Sequence, residues 1–254
     1  MQLTLTCVVT WVVSLVFLVI AIIKVFPTSG VHITQNPYSK NVLLWPVKLD
    51  GHWPVRMDFD FVIKSDIVNY ARSLTGPHAV IDCGAHIGDG AVPIAAALAD
   101  AGRGDIIVYA LEPDPQKCAI IRLLARLNNI GNIRIICIGL SDVHANYTER
   151  KKPIGNSGAT TWKAAGDHDS GSLFTRLDSL YDEGEITEPL GCMHLDVEGM
   201  ELAAVRGAYN VIQRYKPYLS IEIHDRSTRH MFLQSLPGYE FSKRLNSNDI
   251  FIHV

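Results

Sequence analysis

Three groups of residues in this chain have the types and spacing that chemistry needs. The first is Asp82-Cys83-Gly84-Ala85-His86-Ile87-Gly88, an acid at the end of an apolar run followed by a glycine turn. The second is Glu112-Pro113-Asp114, which ends the next apolar run. The third pairs Asp196, in Leu195-Asp196-Val197-Glu198-Gly199, with the later Glu222-Ile223-His224. Gly84 and Gly88 allow a sharp turn and a close backbone approach to a ligand. The spacing Asp-x-Gly-x-x-x-Gly differs from the Gly-x-Gly-x-x-Gly of dinucleotide binders. A carboxylate just ahead of the first glycine would also repel a pyrophosphate.

Asp82 suits a cationic ligand without phosphate, such as S-adenosylmethionine. A plain strand-to-helix turn capped by Asp82 fits the loop equally well. Glu112, at the end of the following strand, is placed to accept hydrogen bonds from both hydroxyls of a ribose. Asp142, in Gly139-Leu140-Ser141-Asp142, is a candidate for the adenine amine, and also a plain turn residue. Glu222 and His224 are two apart on one strand, so they share a face. If that strand neighbours the one ending in Asp196, at ~5 Å, the three converge at the mouth of a pocket. Buried strands seldom carry a carboxylate and an imidazole without a partner or a task. A structural ion pair is the alternative.

The elements that must position these groups follow in order. Ala79–Asp82 reads as a buried strand, Ala91–Asp100 as a helix with Pro93 tolerated in its first turn, and Asp105–Leu111 as a second strand. Ile120, Ile121, Leu124 and Leu127 recur at helical spacing, Asn128 to Gly131 closes that helix, and Ile133–Ile138 is a third strand. The stretch from Asp142 to Gly171 is polar and glycine-rich, an insertion over the sheet's carboxyl edge; within it Gly155–Thr161 offers hydroxyls and an amide to an acceptor such as a sugar. Leu173–Tyr181 reads as a strand leading into a short helix, Cys192–Leu195 as a strand, Met200 to about Arg214 as a helix and Pro217–Asp225 as a strand. Gly238–Phe241 and Asp249–Val254 close the chain as a hairpin. This succession predicts an α/β, Rossmann-like, doubly wound and mostly parallel sheet with a closing antiparallel hairpin.

The whole chain has 254 residues, a net charge of −3 and 48% hydrophobic residues, which gives one domain, an extra segment and no electrostatic case for nucleic acid. The extra segment is Leu3–Phe26, whose one charge is Lys24 and which is long enough to span a bilayer; with no basic residue before it and no clear small-x-small cleavage site after it, residues 1–26 are expected to be a transmembrane anchor, a cleavable signal peptide being the alternative. Lys24 and Lys40 after the span favour a cytoplasmic catalytic domain. A lumenal domain is the alternative, and it would make Asn146-Tyr147-Thr148 a glycosylation acceptor. Residues 27–64 read as a linker (Pro27–Tyr38) and a hairpin with Asp50-Gly51 as its turn; residues 65–254 form the catalytic domain, opened by Ser65-Asp66 as a helix cap. The five cysteines (Cys7, Cys83, Cys118, Cys137 and Cys192) match no zinc module and read as reduced core residues.

Taken in order, Val80–Gly88, Glu112-Pro113, Leu140-Ser141-Asp142, Asn156-Ser157-Gly158, Leu195-Asp196-Val197-Glu198-Gly199-Met200-Glu201 and Ile221–His224 resemble the FkbM-type family of S-adenosylmethionine-dependent O-methyltransferases. The resemblance covers roughly residues 65 to 254. It implies cofactor contacts at Asp82, Gly84, His86, Gly88, Glu112 and Asp142, and methylation of a hydroxyl on a small molecule, a sugar or a glycan. His86 stands where the family often has asparagine. Methyl transfer is an in-line displacement, so the enzyme must align a hydroxyl and remove its proton. His224 is the expected base, supported by Glu222 or Asp196. Alternatively Asp196, Glu222 and His224 hold a magnesium or manganese ion that acidifies the hydroxyl. A NAD-dependent sugar oxidoreductase or epimerase, and a non-catalytic membrane-anchored scaffold, are the competing functions.

Overall fold

A computed structural model of the chain describes residues 31–36, 42–46, 61–151, 159–166 and 171–254. Strands β1 (Val31–Gln35) and β2 (Val42–Pro46) pair antiparallel by themselves. The expected linker over Pro27–Tyr38 therefore contains a strand. The expected hairpin at Val47–Trp53 and the anchor at Leu3–Phe26 lie outside the described residues. Among the described residues no helix is long and apolar enough to cross a membrane.

Helix α1 (Phe61–Ser73) begins four residues before Ser65-Asp66, so those two lie inside it and do not cap it. The reason is its apolar stripe, Ile63, Ile67, Val68 and Ala71, which needs a full first turn ahead of Ser65 to reach the core. Asp66 instead accepts from the Tyr218 hydroxyl and, at 2.6 Å, from the Lys243 ammonium.

The central sheet starts with β3 (Ala79–Cys83), buried at every position as a strand covered on both faces must be. Helix α2 (Ala91–Asp100), β4 (Ile107–Leu111), α3 (Pro115–Leu127) and β5 (Ile133–Ile136) complete the first half. Asp114 caps α3, accepting from the Gln116 amide at 2.8 Å, with Pro115 in the first turn. The second half contains α4 (Leu177–Asp182), β10 (Leu190–Leu195), α5 (Glu201–Gly207), α6 (Tyr209–Tyr215), β11 (Tyr218–Glu222), α7 (Arg229–Ser235), β12 (Tyr239–Leu245) and β13 (Asn248–His253). The seven strands lie in the order β12-β13-β11-β10-β3-β4-β5, with β13 antiparallel to both of its neighbours and the rest parallel. Helices α1 to α3 cover one face of the sheet and α4 to α7 the other, each over its own apolar core.

The helix expected from Met200 to Arg214 is two. The break falls after Gly207, which lies so close to the Ser141 carbonyl that a Cβ there would stand 1.9 Å from its oxygen. The polar insertion is more ordered than its composition suggested. Strands β6 (Gly139–Leu140), β7 (Ala145–Lys151), β8 (Thr161–Ala164) and β9 (Ser172–Thr175) form a second sheet in the order β6-β9-β7-β8.

Cys118 on α3 and Cys137 just past β5 are joined in a disulfide, with Cα atoms 6.0 Å apart, which corrects the reading of all five thiols as reduced. Their separation of 19 residues hides the meeting, because α3 doubles back beside the next strand. Cys83 and Cys192 are free and buried, as expected.

Candidate active site

Beyond the carboxyl ends of β3, β4 and β10 opens a cleft of about 480 Å³, part of it facing solvent. The parallel register builds it in layers. Asp82, His194 and Ser220 are cross-strand neighbours and so share one face, toward α1 and α2. Two residues further on, Glu112 and Asp196 just past the ends of β4 and β10 and Glu222 at the last position of β11 follow the same alternation.

Gly84 and Gly88 have φ of +78° and +88°. At Gly84 a Cβ would lie 1.8 Å from the Asp196 carbonyl oxygen, so this glycine lets β3 close against the end of β10. His86 also takes a left-handed φ, +49°, in a region that asparagine and histidine tolerate better than most residues. The backbone therefore explains a histidine where the family often has asparagine. The His86 amide donates to Glu112 Oε2 at 2.9 Å and the Asp114 amide to Oε1 at 3.0 Å. Held by two backbone donors, the Glu112 carboxylate faces the cleft with Lys117 Nζ 3.8 Å away. Burial nevertheless raises its pKa above the usual carboxylate value.

On the other side Asp196 hydrogen-bonds Glu222, and His224 Nε2 lies 3.4 Å from Glu222 Oε2. Burial, then the Glu222 charge, raise the Asp196 pKa to about 9. The Asp196 carboxyl thus holds its proton more tightly than an ordinary carboxyl in the ligand-free cleft. Burial and the same Glu222 also raise Glu198, which sits at φ +52° on the turn between Asp196 and α5. Glu201 holds that turn, accepting from the Val197 and Gly199 amides at 3.1–3.2 Å. The Asp-Val-Glu-Gly-Met-Glu block therefore builds a turn as well as supplying acids.

The sequence-predicted residues do not all meet in the cleft. Gly84, His86, Glu112 and Asp196 line it. Asp82 does not: its Oδ1 is bonded to His194 Nδ1 at 2.9 Å, and its buried Oδ2, beside Gly90, has no hydrogen-bond partner among the described residues. Asp142 is exposed and lies outside the cleft lining. His224 faces Glu222 at ion-pair distance, but its side chain is 75% exposed. The metal expected on Asp196, Glu222 and His224 does not fit. No group of three His, Cys, Asp or Glu among the described residues is arranged to hold an ion, and the His224 side chain turns outward.

Sequence reasoning missed several cleft residues. Trp162 and Phe174 of the second sheet, with Thr160, roof the side formed by Ile138, Gly139 and Leu140. The Trp162 and Phe174 rings lie 5.3 Å apart, tilted by 60°, and the Phe174 ring is so close that a Cβ at Gly139 would stand 2.2 Å from it. The Asn156-Ser157-Gly158 block lies outside the described residues. Lys64 on α1, 4% exposed, was also missed; its Nζ is 3.2 Å from Asp89 Oδ2, so it ties that helix to the glycine loop. Burial pushes the Asp89 carboxyl up, but Lys64 and His86 outweigh it and hold the group below the usual carboxylate range.

The chain is similar in fold to a methyltransferase FkbM from Methylobacillus flagellatus KT, at 19% identity and a TM-score of 0.48 over 70% of this chain and 44% of that one. It thus spans less than half the length of that protein. An rRNA methylase from Streptococcus thermophilus is similar at 11% identity and a TM-score of 0.46, over 77% of this chain and 96% of its own. A Streptococcus mutans chain in complex with SAH is similar at 12% identity and 0.45, over 76% of this chain and 97% of its own. A search of curated proteins by sequence gives no match. The family model of the Methyltransferase FkbM domain matches residues 82–241, from the acid that ends β3 into the closing hairpin, and by that match the chain belongs to the FkbM methyltransferase family.

Proposed function

We propose that the chain is an S-adenosylmethionine-dependent O-methyltransferase acting on a hydroxyl of a sugar or glycan. Family membership replaces the dinucleotide alternative. The observation that carries the reading is one cleft with an anchored carboxylate, Glu112, at one end and a cluster of acids with a histidine, Asp196, Glu222 and His224, beside the other.

The lining fits the cofactor. Glu112, held by the His86 and Asp114 amides, keeps lone pairs for the two ribose hydroxyls. The apolar wall of Ile138 and Leu140 under Trp162 and Phe174 suits a flat aromatic base. The acids Asp196, Glu198 and Glu222 suit a sulfonium and an ammonium. When bound, the cofactor supplies an electrophilic methyl group on a positively charged sulfur. This chain's residues must hold the acceptor oxygen in line with that methyl and take its proton. His224 takes the proton at Nδ1, the ring nitrogen that does not face Glu222, and Glu222 beside Nε2 stabilises the imidazolium that results. Asp196 is positioned to lose its own proton when a cation arrives beside it, restoring a favourable charge balance. The carboxyls beside His224 offer hydrogen-bond acceptors to the hydroxyls of a sugar or glycan entering from that end.

The test is His224→Ala, assayed on a panel of free sugars and glycans. Turnover should fall about 10²–10⁴-fold, while the cofactor's Kd stays within about twofold. A variant that kept its turnover would remove His224 as the base. Turnover on non-carbohydrate hydroxyls alone would remove the sugar.

A further inference from the structure

We propose that Asn146 is an N-glycosylation site and that this domain matures in an oxidising secretory lumen. Two independent features lead there. The first is the triplet Asn146-Tyr147-Thr148, the one Asn-x-Ser/Thr triplet with x other than proline in the chain. It lies on β7, in the second sheet, where alternate residues take opposite faces. Tyr147 turns inward, its ring 4.5 Å from that of Phe174, in the aromatic roof of the cleft. Asn146 and Thr148 consequently point the other way, and Asn146 is exposed. Its backbone is satisfied, the Asn146 carbonyl accepting from the Ala165 amide at 2.9 Å, so the side-chain amide stands on an ordered, outward-facing strand. A glycan there would project from the face of the roof opposite the cleft and leave the catalytic groups clear.

The second feature is the Cys118–Cys137 disulfide. Such bonds persist in oxidising compartments and are rare where glutathione and thioredoxin keep thiols reduced. Cys83 and Cys192 stay free and buried in the sheet, so among the described residues the pairing is confined to the two cysteines that α3 and the end of β5 bring together. Both features belong to the same side of a secretory membrane. They reverse the cytoplasmic placement that Lys24 and Lys40 favoured in the sequence, and the apolar stretch Leu3–Phe26 would deliver the domain there. In the modification the Asn146 side-chain nitrogen bonds to the anomeric carbon of a lipid-pyrophosphate-linked oligosaccharide. The bond to the pyrophosphate breaks, that lipid leaves and the nitrogen loses one proton. In the oxidation, the two thiols give two electrons and two protons to a disulfide-exchange oxidant of the compartment, which leaves as a dithiol.

The experiment is translation of the full chain with endoplasmic-reticulum microsomes. The wild type should show one glycan shift removed by endoglycosidase, and the domain should resist added protease until detergent is present. Asn146→Gln and Thr148→Ala should lose the shift, and Thr148→Ser should keep it. Digestion without detergent would overturn the lumenal placement; a protected domain without the shift would overturn Asn146 as the site. Of the five cysteines, the two in the disulfide should be masked, so the denatured, unreduced chain should take three maleimide tags and the reduced chain five. Five tags without reduction would overturn the oxidised state.

Discussion

The Asp196 carboxyl joins stability to function at a single residue. Its folded pKa of about 9 lies far above the unfolded carboxylate value, so the folded state binds more protons than the unfolded one between pH 4 and 9. Stability should therefore fall as pH rises through that window. Asp196→Asn, which cannot ionise, should remove the slope: its Tm should exceed the wild type's by about 10 °C or more at pH 8, with the gap narrowing toward pH 5. Equal pH profiles for the two proteins would mean that Asp196 is ionised in the free enzyme. The acids at the ends of apolar runs, Glu112, Asp196 and Glu222, were legible in the sequence because a charge that ends a buried strand has few structural reasons to be there. The partner of Asp82 was not. His194 lies 112 residues away, and only the β3–β10 register brings its imidazole to the Asp82 carboxylate. Asp142, which follows a third strand as an adenine contact would, stands exposed outside the cleft lining, where the chain passes close to the end of α5.

At the level of elements, the cleft depends on how closely the loop after β3 approaches the end of β10. Gly84→Ala would put a methyl 1.8 Å from a carbonyl oxygen and force an L-residue to φ +78°, a change expected to cost upward of about 4 kcal/mol and to abolish cofactor binding. Gly102 offers the control. Its φ is +75° but nothing lies within 4 Å of a Cβ there, so Gly102→Ala should cost only about 1–2 kcal/mol in urea unfolding and leave binding intact. Similar losses from the two would show that backbone conformation, not the close approach, sets the requirement at Gly84. The buried strands and α2 were legible because continuous apolar runs between turn residues have few other solutions. The second sheet was hidden because β7 and β8 bury little: Ala-Asn-Tyr-Thr-Glu-Arg-Lys reads as a loop until Phe174 gives Tyr147 something to pack against.

For the whole molecule, the cleft is made from the centre of the sheet, and a ligand there should hold the entire domain. Cofactor at 100 times its Kd should add about 2.7 kcal/mol and raise Tm by about 5–11 °C, with ring fluorescence and backbone signals shifting together. A shift confined to one probe would mean that the cleft opens independently of the sheet. The parallel doubly wound order was legible as a whole, since strand, turn and helix alternate through both halves; the placement of β10 beside β3 required the structure. That placement also bears on how the protein is made. Cys83 and Asp196 close the cleft through a backbone hydrogen bond of 3.1 Å, yet 113 residues separate them. At ribosomal speeds of about 5–20 residues per second, the glycine loop waits about 6–23 s after it is synthesised before its partner strand exists. Through that interval β3 has an open edge, and a nascent chain halted before Leu190 would carry half of a cofactor site with nothing to close it.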